Sequence, residues 1–251
     1  GSLYAARGLT AEAEYAFKQS QKMCEYSPEA NFRLADMYMK LHRFQEARTL
    51  IENYLAIDKY NDSAKAFLAG VEGVIRDDMR RRDLENVMNQ SLGTMNTALE
   101  LAATYQRIGM DEEFLKLASA ISSTTNLPPA VCITLAQMYG QAQQWELFVG
   151  AARRCLAADQ GNWRIWIDLA FGRLRAGKTD EVFGALKRAV DIGGEQARAM
   201  LREDKRFRLL HSSPLFLSLV TPREEPPLRR DNPWSRTGGR RYSGRPRTGH
   251  C

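Results

Sequence analysis

Five Leu-Ala pairs recur along this chain: Leu34-Ala35, Leu68-Ala69, Leu101-Ala102, Leu135-Ala136 and Leu169-Ala170. Successive leucines stand 34, 33, 34 and 34 residues apart, and Tyr38, Tyr105 and Tyr139 follow three of them at one offset. A fixed period of this length means one supersecondary unit copied along the chain, each copy burying its apolar face only against its neighbours. Such a chain cannot close around one central core. It must grow by stacking.

Within a period the pattern is helical. Leu34, Ala35, Tyr38 and Leu41 share one stripe of an amphipathic helix, and a second helix from about Gln45 to Asp58 is expected to bury Ala47, Leu50, Ile51, Tyr54 and Leu55. The small Ala35 and Ala47 let two paired helices approach closely. Leu101, Ala102, Tyr105, Gly109 and Phe114 form a further unit, closed by Pro128-Pro129. Leu135, Ala136, Tyr139, Trp145, Ala152 and Cys155 form the next; Trp166, Leu169, Ala170, Gly177, Leu186 and Ala189 form the last. Repeat length and residue types resemble the tetratricopeptide repeat, a helix-turn-helix of 34 residues, with Trp166 and Gly177 at that family's tryptophan and turn-glycine positions. The resemblance implies an all-α fold, a right-handed α-solenoid.

Repeats are expected over residues 1–194, the first of them partial, with Gly8 ending its first helix and Ala13 and Phe17 facing inward. The unit starting at Asp62 departs from the pattern: Glu72 replaces the tyrosine and Arg76 the turn glycine. Residues 62–95 are therefore irregular. They read either as one long helix from Ser63 to about Ser91, roughly 43 Å at 1.5 Å per residue, or as a degenerate repeat with a turn near Asp77-Asp78. Arg173 takes the last tyrosine position, a departure expected where less is buried. Residues 195–220 read as a capping segment, in which Phe207, Leu210, Phe216 and Leu219 cover the last repeat. From Thr221 to Cys251 the chain turns to Pro, Gly and Arg and is expected to be disordered.

The formal charge of +6 is unevenly placed. Residues 222–251 hold eight Arg against three acids, a net +5, which leaves 28 basic against 27 acidic residues, +1, for residues 1–221. Within the tail, Arg236, Arg240, Arg241 and Arg245 flank Trp234 and Tyr242, a composition that resembles RGG-like RNA-binding segments. The Arg80-Arg81-Arg82 run is interleaved with Asp77, Asp78, Asp83 and Glu85 and reads as a salt-bridged surface. No run of about 18 apolar residues is present, so no membrane span is expected. The chain opens on what reads as the last turns of a helix, the expectation being a piece of a longer protein or missing upstream repeats.

No catalytic or metal-binding constellation is found. His42, His211 and His250 are far apart, and no phosphate loop, nucleophile elbow or zinc-protease motif occurs. Asp111, Glu112 and Glu113 open a helix and suit its dipole. Cys24, Cys132, Cys155 and Cys251 have no metal-ligand spacing, and Cys132 and Cys155 read as buried small hydrophobes. No enzyme activity and no cofactor are expected. A reducing, cytoplasmic setting is the default.

The resemblance also implies a partner groove, lined two residues before and two after each key leucine. Those positions hold Phe32 and Asp36, Leu99 and Ala103, Ile133 and Gln137, and Ile167 and Phe171. Leu99 and Ile133 equally fit packing between adjacent repeats. Family members that bind chaperones clamp a C-terminal carboxylate with basic residues; here the matching positions include Phe32, Asp36, Leu99, Glu100, Ile133 and Asp168, and the clamp is absent. The expected function is a non-enzymatic scaffold docking a protein or peptide partner, or another part of its parent chain, in an apolar groove. Two alternatives remain: the accessory C-terminal region of a larger bacterial membrane enzyme of glycosyltransferase type, and an RNA-associated protein acting through its tail, the one place where nucleic-acid binding is expected.

Overall fold

The computed structural model describes residues 1–25 and 27–221, and no strand occurs among them. The helices run α1 (Ser2–Ala6), α2 (Thr10–Met23), α3 (Pro28–Lys40), α4 (Phe44–Ile57), α5 (Asp62–Asn89), α6 (Met95–Ile108), α7 (Asp111–Ser123), α8 (Pro129–Gln141), α9 (Trp145–Ala158), α10 (Trp163–Arg175), α11 (Thr179–Glu203) and α12 (Pro214–Val220). A 3-10 helix, Lys205–Leu210, joins the last two. Ser27, Asn61 and Thr94 cap α3, α5 and α6 through their side-chain oxygens, each accepting a backbone N–H at its helix's N-terminus.

The turns inside the units carry the period most plainly. Gly8, His42, Gly109, Gln143 and Gly177 all take left-handed φ values, between 56° and 77°. Each stands eight residues past its unit's leucine, where a leucine is present. The missing member of that series is residue 76, which lies inside α5. There the hairpin never closes.

Its reason lies in two positions of the second helix. Thirteen residues after the leucine stand Ala47, Phe114, Phe148 and Val182, and seventeen after stand Ile51, Ala118, Ala152 and Leu186. All eight are buried. The third unit places Arg81 and Glu85 there, bonded to each other at 2.7 Å. A second helix folded back on the first would bury that ion pair against apolar side chains, at a desolvation cost that its mutual attraction does not reliably offset. The chain instead continues as one helix of 28 residues, about 42 Å long. Leu68 is consequently only half-buried and Ala69 exposed, unlike the other four Leu-Ala pairs.

The core is divided accordingly. Ala64, Val71, Phe67, Leu68 and Ile75 of α5 pack with α2–α4, whereas Leu84 and Met88 pack with α6–α9. Polar latches join consecutive units. The Tyr38 hydroxyl donates to Glu14 at 3.1 Å, Tyr105 to Glu85 at 2.7 Å, and Tyr139 shares a hydrogen bond with Ser122 at 3.0 Å. Arg173 is not the lightly buried departure expected. Its guanidinium is largely enclosed and spans to the Glu181 carboxylate at 3.0 Å and carbonyl at 3.1 Å, because an arginine in the tyrosine slot can find its acceptor on the following helix.

The end of the array is closed by the chain itself. α11 bends at Gly194, where φ 54° and ψ −133° exclude residues bearing a Cβ, so the capping segment expected from residue 195 begins as the far limb of α11. Beyond it Phe207 and Phe216 stack 6.4 Å apart and are buried, with Leu210 and Leu219 packed beside them. Residues 222–251, including the Arg-rich segment, lie outside the described residues.

Candidate functional site

The eight groove positions do not form one continuous surface. Phe32 packs edge-on to Phe67 at 5.7 Å and is tilted against Tyr54 at 6.0 Å, inside the wedge between α3, α4 and α5. Leu99 and Ala103 are half-buried against the α5–α9 core, so for Leu99 packing between units accounts for the residue. Ile167 is a correction: at 0 % exposure it belongs to the terminal core and offers a partner nothing. The helix turns it toward α11, a direction that a leucine-based offset does not capture. Asp36, Ile133 and Gln137 remain exposed, Ile133 at 38 %.

Phe171 is half-covered by the chain's own cap. Trp145 and Phe207 meet it edge-on at 5.6 Å and 6.2 Å, and the Arg206 guanidinium lies 5.2 Å above its ring. Arg206 also donates to Asp168 at 2.8 Å and to Asp204 at 2.7 Å, so these two carboxylates hold the cation over the aromatic face. Sequence spacing gave no sign of this closure, because Arg206 lies 38 residues from Asp168.

The opposite end stays open. A cavity of about 300 Å³ lies between α1 and α3, with Ala5, Ala6, Phe17, Met37 and Leu41 as its apolar lining and Asp36 at its edge. Arg33 and Lys40 border it, but each already faces a carboxylate, Glu29 at 3.7 Å and Asp36 at 2.7 Å. Of the eight groove positions, only Asp36 reaches this cavity. The signal for the rest was the offset of three and seven residues from Leu34, which puts Met37 and Leu41 on the flank beside the groove stripe.

Charge near this end is tightly arranged. Glu14 accepts from Arg43 at 2.6 Å, from Tyr38, and pairs with Lys18 at 2.6 Å. These bonds, that of Arg43 first, hold its carboxyl at about 2, well below the usual carboxylate range. Arg43 also engages Glu46 and lies 4.4 Å over the Tyr38 ring. Arg80, Arg81 and Arg82 are all ion-paired, to Glu100, to Asp78 and Glu85, and to Asp78. Burial pushes the Cys155 thiol up to about 12, helped by the neighbouring Cys132. Cys132 and Cys155 are buried and unbridged, and Cys24 is exposed. His42 meets Phe44 edge-on and His211 stacks on Phe216, each beside an aromatic ring in a turn or the cap. Among the described residues no cluster of His, Cys, Asp or Glu is arranged to hold a metal ion. No described helix is long and apolar enough to cross a membrane.

Period, left-handed turns and helix pairing together define an all-α helical-repeat solenoid, whose unit resembles the tetratricopeptide repeat. No protein-family model matches the sequence. No curated protein matches it either. Among solved structures the chain is similar to YrrB, a TPR protein with an unusual peptide-binding site, at 9% identity over 75% of this chain and 98% of that one, TM-score 0.40. It is also similar to the C-terminal part of a TPR repeat-containing protein from Cytophaga hutchinsonii, at 13% identity over 87% and 90%, TM-score 0.46. A third likeness is to the TPR domain of P58(IPK), at 15% identity over 82% and 53%, TM-score 0.32.

Proposed function

We propose that the chain is a non-enzymatic interaction scaffold that receives an apolar side chain of a protein partner in the cavity between α1 and α3. The observation that carries this reading is that cavity itself: open, apolar-lined and flanked by cations already neutralised by their own carboxylates. A site of this kind rewards burial of a leucine- or phenylalanine-sized group and gives no extra hold on a terminal carboxylate.

The test is a panel of peptides carrying one large apolar residue, each made with a free and an amidated C-terminus, titrated by fluorescence polarisation. Binding is expected to be indifferent to amidation and to be lost in Ala5→Trp, which fills the cavity from an exposed helix position. Binding that vanishes on amidation, or that ignores Ala5→Trp, would place recognition elsewhere.

A further inference from the structure

The charges of α5 fall into two sets. On its packed side Asp77 pairs with Arg107, Arg80 with Glu100, and Arg81 with Asp78 and Glu85. On its solvent side Lys65, Ala69, Glu72, Arg76, Met79 and Asp83 follow one another at alternating steps of four and three. That is the heptad spacing of a stripe able to face another helix along its whole length. All but the half-buried Glu72 are exposed, Met79 at 62 %. Among the described residues Glu72, Arg76 and Asp83 have no ion-pair partner, although Glu72 and Arg76 stand one helical turn apart. Lys65 reaches only Asp62, at 3.2 Å within its own turn.

This stripe is complementary to its own reverse. Laid antiparallel on a second copy about a two-fold axis at Val74, Glu72 meets Arg76, Lys65 meets Asp83, and Ala69 meets Met79. Each contact occurs twice. Near both ends Tyr60, 88 % exposed, comes beside Val87, itself 37 % exposed. The register is selective. Sliding the axis half a heptad toward the N-terminus sets Lys65 against Arg76; sliding it toward the C-terminus sets Glu72 against Asp83.

We infer that α5 is a homodimerisation helix: two copies of this chain pair antiparallel along the Lys65–Asp83 stripe. The contact is isologous, so it closes after two copies and builds no filament. An exposed ion pair contributes little by itself. Four of them around paired Ala-Met contacts make a weak, salt-sensitive dimer. Groove recognition by α1 and α3 is not needed for it, and it is not needed for groove recognition.

Sedimentation equilibrium of the full chain, from low-micromolar to sub-millimolar protein, should show a monomer–dimer equilibrium that weakens as salt rises. Glu72→Arg sets arginine against arginine twice and should weaken dimerisation by about tenfold or more. Combining it with Arg76→Glu exchanges the two charges and should restore the wild-type constant. In a background with Cys24→Ser and Cys251→Ser, the pair Ala69→Cys and Met79→Cys should give a covalent dimer on mild oxidation, because ten residues of one helix hold the two thiols about 15 Å apart. Either single cysteine should not. A wild-type chain that stays monomeric, a dimer indifferent to Glu72→Arg, or a double charge exchange that fails to restore it would each overturn the inference.

Discussion

Glu14 shows what a single side chain does for this array. It stands on α2, yet three of its bonding partners, Tyr38, Arg43 and Lys18, bring together α2, α3 and the turn before α4. Its carboxyl is held at about 2 in place of the ordinary 4.5. A depressed carboxylate stabilises the fold fully above its ordinary value, and that contribution is lost as pH falls from about 4.5 toward about 2. Wild type should therefore exceed Glu14→Gln in urea midpoint at neutral pH, and the gap should close across that acidic window. A gap that stays constant would show that the bonds do not perturb the carboxyl. Residues of this kind were only half legible in advance. Tyr38 announced itself through its period, but its acceptor lies at no fixed offset: Glu14, Glu85 and Ser122 serve the three tyrosines at different separations. Groove membership was less legible still. Position relative to the leucine fixes the side of the helix, whereas Phe32, Ile167 and Phe171 are covered by elements whose arrival depends on tertiary packing.

At the scale of elements, α5 is where the repeat rule gives way. The cause was written in the sequence as Arg81 and Glu85 on two positions that every other unit fills with buried apolar side chains. Absence of a turn glycine was the weaker clue, since His42 and Gln143 make the same left-handed turn without one. Being helical throughout, α5 gains nothing from the freedom of its two internal glycines. Gly70 has open space where a Cβ would stand, so Gly70→Ala should stabilise the protein by about 0.5–1 kcal/mol through helix propensity and a less entropic unfolded chain. Urea denaturation reads this directly. Destabilisation would mean that a helix or segment approaches Gly70 closely in solution. The bend in α11 was not legible at all: Gly193-Gly194 could have ended a helix, but the sequence does not say that the chain re-enters helix on the far side.

For the whole molecule, period alone was enough to give the class of fold, because a unit repeated five times has few ways to bury its leucines. Charge is less evenly spread than the total suggests. Residues 144–221 carry 13 basic against 9 acidic residues, and residues 1–143 carry 15 against 18. Many of the cations nearest the C-terminus are committed, Arg206 to Asp168 and Asp204, Arg202 to Glu195, and Arg173 to Glu181. Any affinity for nucleic acid is therefore expected to reside in residues 222–251, which hold eight arginines against only three acids. A chain truncated after Val220 should lose binding to single-stranded RNA at low salt, and the intact chain should lose it steeply as salt rises, as counterion release requires. Undiminished binding by the truncated chain would move the site onto the helical array.

The unbroken run of α5 also makes it a shaft. Apolar packing with α2–α4 ends at Ile75 and apolar packing with α6–α9 begins at Leu84, with the Asp77–Arg107 and Arg80–Glu100 ion pairs to α6 between them. Any residue gained or lost between those points changes no buried side chain of either core, but it turns one half of the array against the other by about 100° and slides it about 1.5 Å. In an ordinary array a hairpin absorbs such an insertion as a longer turn. Here it would re-aim the cavity beside α1 relative to α8 and α10, so the residue count between Ile75 and Leu84 acts as the angular setting of the whole scaffold.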